Sequence, residues 1–445
     1  METQAGTLKR LLPTAVRDRL RWPSRPHLGL RRRLRSRLPA RLVLILAVVG
    51  PGIITANVDN DAGGIATYSL AGARFGYGLL WVLIPVTVAL VVVQEMCARM
   101  GVVTGKGLAD LIREQYGVKA TFYVMVALLF ANLANTIAEF AGVAAALEIF
   151  GVSKYITIPA AALFVWWLIV YGTYRRVESV FLVACLFYIA YPISGFLAHP
   201  DWGTVLTRLV VPEITWRGDY LVMVVGVVGT TIAPWMQFYL QSAVVEKGVR
   251  LADYRYSRYD VIVGCVFAVV VAMFIMVACA ATLHQQHIAI EGAEDAALAL
   301  APLAGKYCAG LFAFGLFNAS LFAASVLPLS TAYYVCEGLG WEAGIDKKFR
   351  EAPQFFSLYT ALIVLGSLFI LIPRFPLLAI MYASQVLNGV LLPFILIFML
   401  LLVNRTDLMG SYVNSRTYNV IAWGTSVIMI VLTIIMVGNL LLGWA

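Results

Sequence analysis

The chain has 445 residues, of which 61% are hydrophobic and 13% are charged, and its mean hydropathy is +0.85. A soluble domain of ordinary composition carries about 25% charged residues, so this composition excludes a soluble globular protein. Apolar runs of roughly 20 residues, long enough to cross about 30 Å of hydrocarbon, recur from end to end. The sequence therefore predicts an all-α protein that crosses a membrane many times.

The formal net charge of +9 resides in a basic N-terminal segment, residues 1–41, where eleven arginines and Lys9 face only Glu2 and Asp18. Arginine just before a first span is typical of a segment that stays in the cytoplasm and attracts anionic lipid. A nucleic-acid surface is disfavoured because no folded scaffold accompanies the charge. A cleavable signal peptide is disfavoured because no small-residue cleavage site follows a short apolar core. The arginines nearest the first span are Arg31, Arg32, Arg33, Arg35, Arg37 and Arg41.

Eleven membrane spans are predicted from the apolar runs. Their approximate bounds are 42–72, 78–101, 119–149, 155–172, 178–198, 218–245, 257–283, 306–338, 354–373, 376–403 and 418–443. Basic residues follow every even-numbered span, which places the N-terminus in the cytoplasm and the C-terminus outside. These residues are Lys106, Arg113, Lys119, Arg175, Arg176, Lys247, Arg250, Arg255, Arg258, Lys347, Lys348, Arg350, Arg405 and Arg416.

Two of the predicted spans are interrupted by helix breakers. Span 1 contains Gly50-Pro51-Gly52 and then the sequence DNDAGG at 59–64, and span 6 contains Gly229 and Pro234. Glycine costs about 1 kcal/mol and proline about 3 kcal/mol in a helix interior. Spans 1 and 6 open the two halves of a 5 + 5 division, which is typical of an inverted-repeat transporter with broken helices at its midplane site. Two unrelated packing kinks are the alternative.

This division gives the chain four parts. They are the basic segment 1–41, spans 1–5 in 42–198 as a first repeat, spans 6–10 with their loops in 199–403 as a second, inverted repeat, and a loop with span 11 in 404–445.

The break in span 1 is the leading candidate for a cation site. A broken helix offers free carbonyls at the end of one half, and carbonyls combined with an intramembrane carboxylate favour a cation. Asp61 immediately precedes the break and is the preferred ligand, with Asp59 as the second candidate and Asn60 in the same turn. The alternative is that both aspartates cap the amides of the second half-helix.

Span 6 offers few side-chain ligands. Pro234 leaves a carbonyl unpaired one turn earlier, near Thr230. Ala233 and Trp235 are not ligands for a hard cation. Gln237 and Gln241 lie one turn apart on one face, where they line a water path or tie helices together.

Elsewhere in the spans, isolated polar residues are most often helix–helix hydrogen bonds. Glu139 in span 3 and Gln385 and Asn388 in span 10 belong to this group. The four histidines lie outside the predicted spans, and the six cysteines are single packing residues without a CxxC pair. No phosphate loop, HExxH or nucleophile elbow is present. We therefore expect neither an enzyme nor a resident cofactor.

Five stretches of the chain form a specific pattern: GPGIITANVDNDAGGIATYSLAGARFGYGLLW, QEMCARMGVVTGKGLADLIREQYG, TIAEFAGVAAALEIFG, YLQSAVV and SQVLNGVLLPF. Over about 42–403 this pattern resembles the NRAMP family of divalent-metal transporters. The resemblance implies a LeuT-like inverted repeat of eleven helices with helices 1 and 6 broken. It also implies that the backbone carbonyls of Val58 and Thr230, together with Asp61 and Gln385, face a metal ion between these two helices.

The chain departs from the family motifs at several ligand positions. The family has Asp-Pro-Gly-Asn where this chain has Asp61-Ala62-Gly63-Gly64, so the amide ligand is lost. It has Met-Pro-His where this chain has Ala233-Pro234-Trp235.

Two further departures concern proton transfer. A second family histidine corresponds to Gln241, and a family aspartate associated with proton transfer aligns with Thr136, whereas its glutamate partner is kept as Glu139. These losses argue against coupling to protons.

The departures have a physical direction. A methionine thioether favours transition metals over Mg²⁺, so Ala233 removes that preference, and Ala233 and Gly64 together are expected to enlarge the site. Mg²⁺ keeps several waters and binds through one or two carboxylates. The pattern resembles the NRAMP-related magnesium branch and implies uptake of hydrated Mg²⁺, with Mn²⁺ as a second accepted ion. The alternatives are a proton-coupled Mn²⁺/Fe²⁺ transporter and an organic-substrate symporter on the same fold. We expect a monomer in a bacterial plasma membrane.

Overall fold

A computed structural model describes residues 50–173, 177–180, 183, 186–291, 295–296 and 308–442. The basic segment 1–41 with its predicted lipid contact, the first residues of span 1, Arg175, Arg176 and Cys185 lie outside the described residues.

The described residues are helical throughout their regular structure, which confirms the all-α prediction. Short 3₁₀ turns (Leu80–Val82, Leu186–Ile189, Leu251–Asp253 and Gly410–Tyr412) and a π-helical turn (Ala280–His284) lie beside the longer helices. The α-helices are α1 Pro51–Val58, α2 Ala62–Phe75, α3 Leu83–Thr104, α4 Leu108–Glu148, α5 Lys154–Val170, α6 Ala190–Leu197, α7 Trp202–Val210, α8 Gly218–Thr231, α9 Pro234–Glu246, α10 Tyr254–Cys279, α11 Cys308–Leu339, α12 Pro353–Ile370, α13 Leu377–Val403, α14 Thr406–Met409 and α15 Arg416–Leu442.

The helices correspond to the predicted spans. Within the described part of the chain, 8 segments are long and apolar enough to cross a membrane, and they match spans 2, 3 and 6–11. Span 1 is divided into α1 and α2, span 4 is the 17-residue α5, and span 5 contains α6. Both predicted interruptions are present, because α1 ends at Val58 and α8 ends at Thr231.

The interrupted helices form the centre of the bundle. In the most apolar stretch of α8 and α9, 94% of the residues are buried inside the protein. In the corresponding stretch of α15 only 17% are buried. Helices α1 and α2 pack against α10, and α8 packs against α13. The midplane breaks are therefore enclosed by protein, as backbone without helical hydrogen bonds requires at membrane depth.

The loops that follow spans 2, 6 and 8 meet at one end of the bundle. The side-chain amide of Gln241 near the end of α9 donates to the carbonyl of Lys106 over 2.9 Å. The Glu246 carboxylate accepts from the Ile345 amide over 2.8 Å. Three of the loops predicted to be cytoplasmic thus share one side, and their assignment to the cytoplasm stays a prediction.

The packing of α8 against α13 depends on glycine. A Cβ on Gly229 would lie 2.7 Å from the Cα of Gly389 and closer still to the carbonyl of Gln385. We expect Gly229→Ala to lower the free energy of unfolding by about 1–3 kcal/mol, because a methyl forced into a packed contact displaces its neighbours. Thermal unfolding in detergent measures the effect. Gly424→Ala is the matched control, since its Cβ meets nothing within 4 Å, and equal unfolding temperatures for the two variants would contradict the expectation.

Candidate ion-binding site

The first break is a short buried turn between α1 and α2. The amide of Asn60 bonds to the carbonyl of Asn57 over 3.2 Å, and Asp61 has an extended backbone. One carboxylate oxygen of Asp61 accepts from the amide of Gly64 over 2.6 Å, so Asp61 is the N-cap of α2. Asp61 therefore caps α2, and this bond occupies one of its two carboxylate oxygens. Val58 ends α1, so its carbonyl is among those without an intrahelical partner.

The second break lies between Thr231 and Pro234. Ile232 leaves the helical conformation and Ala233 precedes α9 with no side-chain cap. In the orientation that satisfies its neighbours, the amide of Gln237 donates to the carbonyls of Ala233 and Pro234 at 2.8 and 2.6 Å. Gln237 thus stabilises the first turn of its own helix.

The two breaks are in direct contact. The hydroxyl of Tyr68 on α2 is 2.8 Å from the hydroxyl of Thr231. A Cβ on Gly64 would lie 3.2 Å from the Thr230 hydroxyl and closer to the carbonyl of Asp59. The expected enlargement at Gly64 is therefore wrong in this structure, because the backbone of Asp59 and the hydroxyl of Thr230 fill the space that a side chain would occupy.

A second carboxylate meets Asp61 at the start of α2. Glu139 on α4 accepts from the amide of Ala62 over 3.2 Å, and its carboxylate lies close to the side chain of Asp61. Its other oxygen is buried without a hydrogen-bond partner. The positive end of the α2 dipole lies beside both groups and favours their negative charge.

Asp59 lies on the opposite side of the turn. Its side chain is near Cys265 on α10 and Tyr68, and one of its oxygens is buried without a hydrogen-bond partner. The side-chain amide of Asn60 donates to the carbonyl of Ala268, also on α10, over 3.2 Å, and its oxygen has no partner. The turn therefore presents carboxylates to two sides, α4 and α10.

No buried basic side chain neutralises these carboxylates in the part of the chain that the structure describes. Among the described residues the buried basic side chain is Arg99, which forms an ion pair with Glu95 at 3.3 Å and donates to the carbonyl of Tyr412. Buried carboxylates that lack a basic partner require a cation or a proton. Within the same described ranges, no three His, Cys, Asp or Glu side chains converge on a point. An ion at the break would therefore also use backbone oxygens, amide or hydroxyl oxygens, or water.

Gln385 reaches the break with its nitrogen. A Cβ on Gly63 would collide with the Gln385 side-chain nitrogen. The side-chain oxygen of Gln385 instead accepts from Asn388 over 3.0 Å, and Asn388 exchanges two hydrogen bonds with Asn135 on α4. Gln385 lies near the break and its side-chain oxygen faces the asparagines, and its role as an ion ligand stays a prediction.

Three further residues from the sequence analysis, Thr136, Gln241 and Trp235, make their contacts with other parts of the protein than the turn between α1 and α2. The hydroxyl of Thr136 bonds to its own helix and its methyl packs toward Gly366 on α12. Gln241 bonds to the loop after α3. The carbonyl of Trp235 accepts from Ser330 on α11 over 3.2 Å, while its ring is buried among apolar neighbours.

Sequence reasoning missed Tyr68 and Thr231. Tyr68 follows Asp61 by seven residues, two helical turns, so the spacing alone places both on the same face of α2. The position of Tyr68 on the Asp61 face could therefore have been predicted from the sequence. Its contact with Thr231 could not, because the two residues belong to helices that are distant in the chain.

Buried carboxylates between two interrupted helices, in a bundle whose helices are long and apolar enough to cross a membrane, are typical of a secondary transporter. Comparison with known families agrees. The family model described as "Natural resistance-associated macrophage protein-like" (Nramp) matches residues 52–439. The chain belongs to the Nramp family, whose members are transporters and not enzymes.

Curated relatives are similar over most of their length. The divalent metal cation transporter MntH of Deinococcus radiodurans is 27% identical over 409 residues, 87% of this chain and 88% of the relative. The protein of the same name from Erwinia tasmaniensis is 29% identical over 381 residues, 83% of this chain and 89% of the relative.

Solved structures confirm the predicted LeuT-like fold. A manganese transporter of Eremococcus coleocola superposes with a TM-score of 0.73 at 22% identity, covering 90% of this chain and 88% of that one. MhsT in complex with L-phenylalanine superposes with a TM-score of 0.55 at 13% identity, covering 90% and 98%. Mhp1, a nucleobase-cation-symport-1 transporter, gives 0.53 at 14% identity, covering 87% and 92%. These similarities show the fold alone.

The charge on Glu139 provides a test of the site. We expect Glu139→Gln to weaken Mg²⁺ binding about ten-fold, or about 1.4 kcal/mol, because it removes a negative charge beside Asp61 while an oxygen remains for the Ala62 amide. Calorimetric titration of the purified protein measures the affinity. Glu148→Gln, at the exposed end of the same helix, is the control. Unchanged affinity in Glu139→Gln would place the ion elsewhere.

Proposed function

We propose that this protein carries divalent metal ions across the membrane, with Mg²⁺ as the preferred cargo and Mn²⁺ as a second accepted ion. The ion binds at the break between α1 and α2, faces one side of the membrane at a time, and is released on the other. The pair of buried carboxylates Asp61 and Glu139, without a basic partner in the described residues, is the observation that carries this proposal.

The groups around the start of α2 support a hard cation. Asp61 and Glu139 are carboxylates, Thr230 contributes a hydroxyl, and the Asp59 carbonyl lies against Gly64. Ala233 at the second break adds only a methyl group. Carboxylate, carbonyl and water oxygens suit Mg²⁺ and Mn²⁺, whereas thioether and thiolate ligands favour softer metals. Mg²⁺ keeps several waters and needs only one or two carboxylates.

The residues in place of the family's proton-transfer groups support transport without proton coupling. Thr136 is neutral and faces α12. Gln241, in place of the second family histidine, is a neutral amide that donates to the carbonyl of Lys106 over 2.9 Å. The membrane potential alone supplies a driving force of about 4.6 kcal/mol for a divalent ion at 100 mV, from about 2.3 kcal/mol per charge.

A manganese transporter is the second candidate. The curated relatives are named as divalent metal cation transporters, and one structural neighbour is a manganese transporter. Cys265 beside Asp59 would provide a softer environment on the α10 side of the turn. Binding by Asp59 rather than Asp61 would therefore favour Mn²⁺ or Fe²⁺.

The cellular setting is part of the proposal. We place the protein in a bacterial plasma membrane as a monomer, with the basic segment 1–41 on the cytoplasmic side against anionic lipid. The halves 42–198 and 199–403 are the two inverted repeats, followed by 404–445.

Uptake by proteoliposomes with an internal pH probe tests the function. We expect an inside-negative potential to drive Mg²⁺ uptake without acidifying the lumen, and excess Mg²⁺ to inhibit Mn²⁺ uptake. Mn²⁺ uptake that resists excess Mg²⁺, or metal-driven proton flux, would support the second candidate. Asp61→Ala should abolish uptake while Asp253→Asn, in the loop before α10, retains it. Near-normal uptake by Asp61→Ala would move the site to Asp59.

The Ala233 position tests the selectivity argument. We expect Ala233→Met to raise the preference for Mn²⁺ over Mg²⁺ about ten-fold, because it adds a soft thioether at the second break. Competition between the two ions in the same vesicles measures the preference. Ala309→Met, near the start of α11, is the control for adding a thioether away from the break. An unaltered preference in Ala233→Met would remove ligand softness as the basis of selectivity.

A further inference from the structure

The Gly50-Pro51-Gly52 motif has a role distinct from the ion site. It begins α1, and no side chain within the motif caps that helix. The first amides of a helix have no intrahelical partner, and Pro51 has no amide hydrogen to donate. The amides of Gly50, Gly52 and Ile53 therefore need acceptors from elsewhere in the protein.

Asp260 on α10 supplies all three acceptors. One carboxylate oxygen accepts from the amides of Gly50 and Ile53 at 3.1 and 3.3 Å. The other accepts from the amide of Gly52 at 2.7 Å. Asp260 is buried, and hydrogen bonds to a carboxylate are about twice as strong as neutral ones. The start of α1 is thus held by a single side chain of a helix that lies 208 residues away in the sequence.

Glycine allows the backbones of α1 and α10 to touch around this contact. A Cβ on Gly52 would lie 2.7 Å from the backbone nitrogen of Val261. A Cβ on Gly264, one turn further along α10, would lie 2.8 Å from the Cα of Ile53. Larger residues at these positions would move Asp260 away from the amides.

An ion pair adjoins the same end of α1. Lys247, just after α9, is 2.6 Å from Glu178, and both side chains are mostly buried. A Cβ on Gly50 would lie 3.0 Å from the Lys247 nitrogen and closer to the Glu178 carboxylate. The start of α1 is therefore enclosed by α10 and by this pair.

The opposite end of α1 is the candidate ion site. The helix has eight residues, so its length is roughly 12 Å at 1.5 Å per residue. The predicted topology places the Asp260 end on the cytoplasmic side. A displacement of α1 from α10 would expose the turn at Asp59 to that side.

We propose that Asp260 is a positioning residue that holds α1 against α10 and keeps the cytoplasmic side of the ion site closed. Release of the ion to the cytoplasm then requires these three hydrogen bonds to break. The role does not depend on which divalent ion is carried.

Cys265 provides a native reporter of this contact. It is buried on α10, five residues after Asp260. We expect Asp260→Ala and Asp260→Asn to accelerate alkylation of Cys265 by a maleimide about ten-fold, a shift of about 1.4 kcal/mol in the opening equilibrium. Site-resolved mass spectrometry of the full chain in detergent measures the rate. Asp253→Asn, the same chemical change without contact to α1, should label at the wild-type rate.

Two buried cysteines distinguish opening from general loosening. Cys279 near the far end of α10 and Cys336 on α11 should keep their slow labelling in the Asp260 variants. Equal acceleration at all three cysteines would mean that Asp260 only stabilises the fold, and an unchanged Cys265 rate would also overturn the proposal.

Gly52→Ala tests the contact from the other helix. Its Cβ would press on Val261 and separate α1 from α10 while Asp260 is intact. We expect the same selective acceleration at Cys265, with Gly424→Ala as the neutral control. If the Asp260 variants fail to fold, this variant alone decides, and a wild-type rate in folded Gly52→Ala would reject the proposal.

Discussion

The structure depends on the cost of burying carboxylate charge at membrane depth. Asp59, Asp61 and Glu139 lie at one helix break, and no basic side chain is buried beside them in the described residues. An intramembrane charge costs several kcal/mol unless it is compensated. The amides of Ala62 and Gly64 and the dipole of α2 offset part of this cost. The unpartnered oxygens of Asp59 and Glu139 leave the remainder to a bound cation or proton.

The breaks were predictable because they follow from local chemistry. Proline and glycine disrupt a helix wherever they occur, so DNDAGG and Ala233-Pro234 marked both interruptions. The directions of the side chains were harder to predict from the sequence. Successive residues are rotated by about 100° around the helix axis, and the side chains that they contact come from distant segments of the chain. Gln241 lies eight residues after Ala233, about 12 Å along α9, which is too far to reach the break. Gln385 is at the break, but its orientation depends on Asn388 and Asn135.

At Gly64, the loss of the family's amide side chain does not create a cavity. A missing side chain leaves a cavity only when the surroundings fail to collapse. Here the Asp59 carbonyl and the Thr230 hydroxyl approach the glycine directly. Two other oxygens thus lie where the lost amide would reach, and the proposed preference for a hard ion depends on oxygen ligands rather than on a larger cavity.

The two halves of the broken helix are capped in different ways, and this difference determines which half can move. Both N-termini bind a carboxylate, which their dipoles favour. The cap of α2 is Asp61, which belongs to the same turn and therefore stays with α2 when that helix moves. The cap of α1 is Asp260, which belongs to α10, so it is lost as soon as the two helices separate. A rigid-body movement of α1 away from α10 would thus break its own cap and leave the contacts of Asp61 and Glu139 with α2 intact. Alternating access in such folds moves one part of the bundle around a fixed site, and on the proposed role of Asp260 we expect α1 to belong to the moving part.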